Sequence, residues 1–120
     1  MAEMKPIRWG QWVPLPWRRW RVVGNVDAGD EVPARLPSKG VVLVGPATQP
    51  TWFAFDCPCK AGHRLMVNLD NRRRPAWHVD TVRPLTIRPS IDDITAGRRC
   101  HFFIRGGKIV WARNEQRSTP

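Results

Sequence analysis

The chain of 120 residues has no tyrosine, only three cysteines and only 10 acidic residues, against seven tryptophans, 12 prolines and 20 lysines and arginines. The preference for tryptophan over tyrosine has no physical account. The other shortages each exclude something. No run of about 18 apolar residues occurs, which rules out a transmembrane helix. The opening "MAEMKPIRWGQW" has no apolar stretch of about 7–15 residues behind its charges, as a signal peptide would, so the cytoplasm is the expected compartment. An odd number of cysteines argues against a secreted disulfide framework, and in a reducing cell thiols more often serve metals or catalysis. No segment sustains a period of roughly 3.6 residues, so helices do not build this fold. G-x-S-x-G, the P-loop, G-x-G-x-x-G and H-E-x-x-H are all missing, as are the C-x-H and C-x-x-H spacings of a Rieske centre.

What remains is strongly basic, with a net charge of +10. The excess gathers in residues 1–22 (Lys5, Arg8, Arg18, Arg19 and Arg21, less Glu3) and again in the second half of the chain. Only residues 23–56 are net acidic, through Asp27, Asp30, Glu31 and Asp56 against Arg35 and Lys39. Such a field favours anionic partners: an acidic protein face, nucleic acid or, least of the three, anionic lipid. Most of the cations are arginine, the residue suited to bidentate grip on carboxylate or phosphate.

Residues 1–33 read as a Trp-, Arg- and Pro-rich arm followed by a turn-rich linker. Pro6, Pro14 and Pro16 forbid a long helix or central strand in the arm. Residues 34–113 read as a β domain and 114–120 as a disordered tail. Within the domain, "GVVLVG" suits a buried strand, and "TWFAFDC", "RLMVNL", "AWHVDT" and "LTIRPS" follow with turn residues between them. "SIDDITAGRR" reads as one short turn of helix. "CHFFIRGGKIVWAR" sets Gly106-Gly107 between two apolar runs, the signature of a two-residue hairpin turn with positive φ. The expected class is mainly β, with seven or eight short strands in a small antiparallel sandwich or open barrel, carrying a structural zinc site and an extended N-terminal arm.

Zinc enters from "FDCPCKAGHRLMVNL". Cys57 and Cys59 are two residues apart and share a face of an extended chain. Pro58 and Gly62 permit a turn that brings His63 round. Cys100 and His101 open the last hairpin. Zinc takes four ligands from thiolate and imidazole. Five candidates stand in two clusters, so the expected site uses four of Cys57, Cys59, His63, Cys100 and His101. In a strand, Cys100 and His101 face opposite sides, so both can reach one ion only if the chain is irregular there. The competing reading makes the cysteines small buried hydrophobes.

From about Arg35 to Arg113 the chain resembles a family of small bacterial proteins. The pieces that carry the resemblance are "LPSKGVVLVG", "FDCPCKAGHRLMVNLD", "RRRPAWHV", "LTIRPSI" and "CHFFIRGGKIVWA". Members typically read "CPCGCGHRI", then "RRPRW", "PSI" and "SHFFIR". Their genes sit, in some genomes, beside ubiquitin-like conjugation enzymes and a deubiquitinase-like metallopeptidase. The resemblance implies a zinc-binding-like domain and that genetic setting, rather than an activity. Two of the family's cysteines fall here on Ala61 and on Arg98 or Arg99, and Cys100 stands where the family has serine. Cys57, Cys59, His63 and His101 survive. Either Cys100 is a substitute ligand, or the metal has been lost.

Two basic and aromatic stretches complete the set. "DNRRRPAWHV" places Arg72, Arg73 and Arg74 in a turn beside Trp77, an anion-gripping loop next to a stacking residue or a solvated turn with a core tryptophan. "PWRRWRVV" interleaves Trp17 and Trp20 with Arg18, Arg19 and Arg21, for docking on the core or on a partner. The expected function is that of a non-enzymatic, zinc-stabilised accessory protein that recognises a protein or other anionic partner, in a bacterial ubiquitin-like conjugation or phage-related system. The alternatives are a nucleic-acid-binding protein using the same surface and, behind it, a metal- or thiol-dependent enzyme. That enzyme would use Cys100 with His101 or His63, or a carboxylate such as Asp56 or Asp80 as base.

Overall fold

The computed structural model describes residues 7–59, 62–95 and 98–112. The first six residues of the predicted arm, Ala61 and the predicted tail over 114–120 lie outside them. Eight strands form among the described residues: β1 Arg21–Val26, β2 Gly40–Val44, β3 Trp52–Asp56, β4 Arg64–Asn68, β5 His78–Val82, β6 Leu85–Thr95, β7 Arg98–Arg105 and β8 Lys108–Trp111. They make two four-stranded sheets, ordered β1-β2-β3-β4 and β5-β6-β7-β8. The fold is mainly β and the sheets are open. Apart from two short 3-10 turns, at Trp9–Trp12 and Gly29–Glu31, no helix appears among the described residues.

The sheets face each other across one apolar layer. Val41, Phe53, Phe55, Leu65 and Val67 from the first sheet meet Leu85, Ile87, Ile91, Phe102 and Ile104 from the second. Phe55 is its centre: it stacks on Phe53 at 5.4 Å between centroids and takes edge contacts from Trp20 at 5.8 Å and Phe102 at 6.2 Å. Strand β2 is buried on both faces. Val41 enters this layer, while Val42 and Val44 join Ile7, Val23 and Val26 in a second cluster on the outer side. That is why "GVVLV" reads as a continuous apolar run and not an alternation.

Two segments depart from the sequence reading. Residues 23–26, taken there as linker, belong to β1. This strand runs parallel to β2, while every other pair is antiparallel. A parallel pair needs a crossover of about a dozen residues. Residues 27–39 supply it, and their Val32 and Leu36 cover the outer cluster. Within "SIDDITAGRR", Ser90–Thr95 continue β6 instead of forming a helical turn, and Ala96 and Gly97 lie outside the described residues. Asp92 pairs with His101 and Asp93 with Cys100. The β-branched residues Ile91, Ile94 and Thr95 favour the extended form. Strand β6 shifts register between Ile87 and Ile91, around Pro89, which cannot donate to the ladder.

The arm does not stand away from the domain. The Arg21 guanidinium donates to Gln11 Oε1 at 2.6 Å, to the Gln11 carbonyl at 2.7 Å and to the Ser38 carbonyl at 2.9 Å. Arg18 donates to the carbonyls of Gly10 and Val13, and Lys39 Nζ donates to the Arg18 carbonyl. Trp20 N–H bonds the Gly107 carbonyl at 2.8 Å, which seats the arm on the β7–β8 turn. Gly106 and Gly107 have φ of +57° and +76°, the turn that the sequence announces. A Cβ on Gly107 would lie 2.8 Å from Arg19 Cβ. Gly107→Ala is therefore expected to cost roughly 1–3 kcal/mol from φ strain and the clash together, and Gly106→Ala less, since open space surrounds that position. Urea unfolding of the two variants checks the ranking.

Candidate functional site

The β3–β4 hairpin and the β6–β7 hairpin each lend a piece to one buried cluster. Cys57 and Cys59 lie in the turn after β3, which closes by a hydrogen bond from Cys57 N–H to the His63 carbonyl at 3.0 Å. Gly62 has φ of +85°, which a glycine adopts without strain and which turns the chain back into β4 through His63. Cys100 is carried on β7, its side chain on the core face. The three sulfurs and one His63 ring nitrogen all lie within 4.8 Å of one another. Cys59 Sγ is 3.0 Å from His63 Nε2. Tetrahedral zinc, with bonds of about 2.0–2.3 Å, sets its donors about 3.3–3.8 Å apart, so the cluster needs little adjustment to hold such an ion.

The chemistry of the donors agrees. Burial pushes the Cys57 thiol well above its ordinary pKa, and the neighbouring Cys59 and Cys100 sulfurs reinforce the rise. Without a cation Cys57 is a neutral thiol. A divalent ion reverses that balance by stabilising thiolates, with release of protons. His63 Nδ1 is a buried nitrogen with no hydrogen-bond partner. Its nearest carboxylate oxygen is Asp93 Oδ2, at 3.7 Å. The donor set is therefore one that can hold a metal ion, through Cys57, Cys59, His63 and Cys100.

His101 is not part of it. Strand alternation sends it to the opposite face from Cys100, as the strand geometry requires, and its Nε2 lies 2.8 Å from Ser90 Oγ. Ser90 stands on β6, on the same face. The indole N–H of Trp77 donates to the Ser90 carbonyl at 3.0 Å and fixes the backbone there. Asp92, directly across the ladder from His101, holds the Arg99 guanidinium at 2.6 and 2.9 Å. Its carboxyl lies below the usual carboxylate range, chiefly through Arg99 and in smaller part through His101. A hydroxyl, an imidazole and a carboxylate thus line one outer strip of the second sheet. A serine hydrogen-bonded to a histidine is the arrangement that activates an oxygen nucleophile.

The profile of a family described as "Bacterial ubiquitination-like system serine protease (BubE)" matches residues 28–112. The chain belongs to this family. No curated protein and no solved structure matches it. The family's span contains both the Cys3His cluster and the Ser90–His101 pair, and it leaves out Trp9, Trp12, Trp17 and Trp20 of the arm. Its description associates the chain with a bacterial ubiquitination-like system, in line with the genetic setting that the resemblance implied.

Other candidates from the sequence lie elsewhere. Trp20 is a core residue and Trp77 packs against the core while holding Ser90, so neither presents a stacking face. Arg18 and Arg21 brace the arm through backbone carbonyls, and Arg19 donates to the Gly106 carbonyl. Asp56 pairs with Arg64 and Asp80 with Arg88, which takes both away from either site. Trp17 is exposed, as are Arg72, Arg73 and Arg74. Asn68, buried, ties their turn through the carbonyls of Asp70, Arg73 and Pro75. Arg72 grips Asp70 with two nitrogens at 3.0 Å, and that bond holds the Asp70 pKa down to about 2. A depressed carboxylate stabilises above its unfolded pKa of about 3.9 and loses that contribution as pH falls through the folded value. Arg72→Ala is expected to return Asp70 toward the ordinary value, read by carboxyl NMR titration. An unmoved Asp70 would contradict the pairing. Ser90, Asp92 and Asp93 are the residues that sequence reasoning missed.

Proposed function

We propose that the chain is a serine hydrolase acting on a protein partner in a bacterial ubiquitination-like system, with zinc at the Cys57–Cys59–His63–Cys100 centre as a structural staple. One observation carries the catalytic part: the 2.8 Å contact between Ser90 Oγ and His101 Nε2, in a family described as serine proteases. The sequence alone favoured a non-catalytic binding protein, because no known nucleophile motif appears in it. The pair arises from the fold instead.

In the reaction, Ser90 Oγ attacks the carbonyl carbon of the scissile bond while His101 Nε2 takes the hydroxyl proton. The imidazolium then returns that proton to the leaving group. Water enters, His101 removes its proton, and the acyl–Ser90 ester is cleaved. Asp92, across the ladder, stabilises the positive charge that His101 carries between these steps. The Trp77 bond keeps Ser90 from drifting out of reach of the imidazole. Three thiolates and an imidazole suit zinc and not a hard cation such as magnesium. When bound, the ion supplies a crosslink between the 57–63 turn and β7.

Recognition of the partner rests on the net charge of +10 and on exposed arginines 72–74 with Trp9 and Trp17. A reducing cytoplasm fits three cysteines kept this close together without a disulfide. Among the described residues no helix is long and apolar enough to cross a membrane.

A fluorophosphonate probe tests the catalytic reading. Wild-type protein is expected to be labelled on Ser90, located by peptide mass mapping, with slow labelling in His101→Ala and none in Ser90→Ala. Unlabelled wild type, or label retained in Ser90→Ala, would return the protein to a purely binding role.

A further inference from the structure

We infer that Asp93 is the positioning carboxylate of the metal centre: it receives the His63 Nδ1 proton and so fixes the imidazole with Nε2 aimed at the ion. The inference rests on the reading that the Cys3His cluster holds a metal. Three observations lead to it. His63 Nε2 faces the cluster, 3.0 Å from Cys59 Sγ. His63 Nδ1, on the other side of the ring, is buried and has no hydrogen-bond partner. Asp93 Oδ2 lies 3.7 Å from that nitrogen, one small adjustment beyond a hydrogen bond.

Tautomer chemistry joins them. A neutral imidazole that gives its Nε2 lone pair to a metal must carry its proton on Nδ1. Leaving that N–H buried and unsatisfied carries its full desolvation penalty, so a partner stabilises this tautomer. A carboxylate there does more than satisfy it, because it makes the ring a better donor to the ion. The ladder explains why the two groups meet. Asp93 and Cys100 are direct partners across β6 and β7, so a single rung delivers both a ligand and the group that orients another ligand. The next rung, Asp92 with His101, faces the opposite way and belongs to the Ser90 pair. Consecutive aspartates therefore divide their work by strand alternation, Asp93 toward the metal and Asp92 toward the imidazole of His101.

The test uses the full chain and Zn(II) in competition with a chelator of known affinity, comparing wild type with Asp93→Ala and Asp93→Asn. Alanine is expected to weaken zinc binding about 10–100-fold, and asparagine, which keeps a neutral acceptor, by less. Long-range proton–nitrogen NMR of the zinc-loaded proteins adds a readout that general destabilisation would not move. His63 should show a slowly exchanging Nδ1 proton in wild type that becomes labile in Asp93→Ala. Should the alanine variant fail to fold, asparagine decides, and wild-type affinity with an unchanged Nδ1 proton there overturns the proposal. If wild type binds zinc and both variants bind it equally well, Asp93 has no such role and the metal reading stands. If wild type itself takes up no zinc, the metal reading fails and this inference falls with it.

Discussion

Cys57→Ser is expected to lose the metal and, with it, a large part of the thermal stability of the protein. Cys57 is 5 % exposed and belongs to the main core as well as to the cluster. A ligand that binds only the folded state stabilises it by about 4 kcal/mol when free ligand is at about 1,000 times its Kd. At about 4 °C per kcal/mol for a domain of this size, that corresponds to a fall in Tm of about 15 °C. Serine is nearly the size of cysteine, so little of the loss comes from packing. A chelator separates the two contributions. Wild type stripped of metal should melt close to the stripped variant, and the gap should reopen on adding zinc to wild type alone. Elemental analysis of protein purified without added zinc should give one ion per wild-type chain and none in Cys57→Ser. Folded wild type without metal would make the cysteines packing residues.

The fold is expected to survive stripping, because an aromatic and aliphatic layer joins the two sheets beside the cluster. Phe53, Phe55 and Phe102 are fully buried in the layer between the sheets, and Phe55 packs on the other two. Cys57 and Cys100 are tolerable neighbours for them, since a buried cysteine behaves as a small hydrophobe. A metal held there would tie rather than nucleate, joining the β3–β4 turn to β7, two elements on different sheets. Its loss is expected to loosen those elements first.

Much of this was legible in the residues themselves, and the exceptions have two causes. Gly106-Gly107 announced its hairpin because positive φ at two successive positions has a short list of residues. "GVVLV" announced burial because an unbroken apolar run has nowhere else to go. Cys57, Cys59, His63, Cys100 and His101 stood out as candidate ligands because thiols and imidazoles are few here, but the sequence did not say which four would meet. Ser90 did not announce itself, since serine is common and its partner His101 is eleven positions away. Reading "SIDDITAGRR" as a helical turn then hid the connection. Read as a hairpin with Thr95 opposite Arg98, the same residues bring Asp93 to Cys100 and Asp92 to His101. The arm left its two readings open for a different reason. Tryptophan and arginine look the same in sequence whether they serve a partner or the chain itself. Arg21 proved to be spent on Gln11 and Ser38, and Trp20 on Phe55.

On a peptide or ester substrate that the protein turns over, Ser90→Ala is expected to lower kcat by about 10³–10⁶-fold with little change in KM. The wide range reflects how much acceleration survives from substrate binding alone once the nucleophile is gone. His101→Ala should cost nearly as much, because a serine hydroxyl without its base is a poor nucleophile at neutral pH. The decisive variant is the double one. If Ser90 and His101 act as a unit across their 2.8 Å contact, removing both should cost no more than removing Ser90 alone. Penalties that multiply would mean two independent roles and another nucleophile. Cys100→Ser separates the remaining rival, a thiol enzyme built on the buried cluster: it should weaken zinc binding while leaving the Ser90 label in place. Activity that disappears with Cys100 but persists in Ser90→Ala, at matched metal content and folding, would move the catalytic centre to the inner face of β7. The opposite pattern would fix it on the outer one, with adjacent residues of a single strand serving two sites because their side chains point opposite ways.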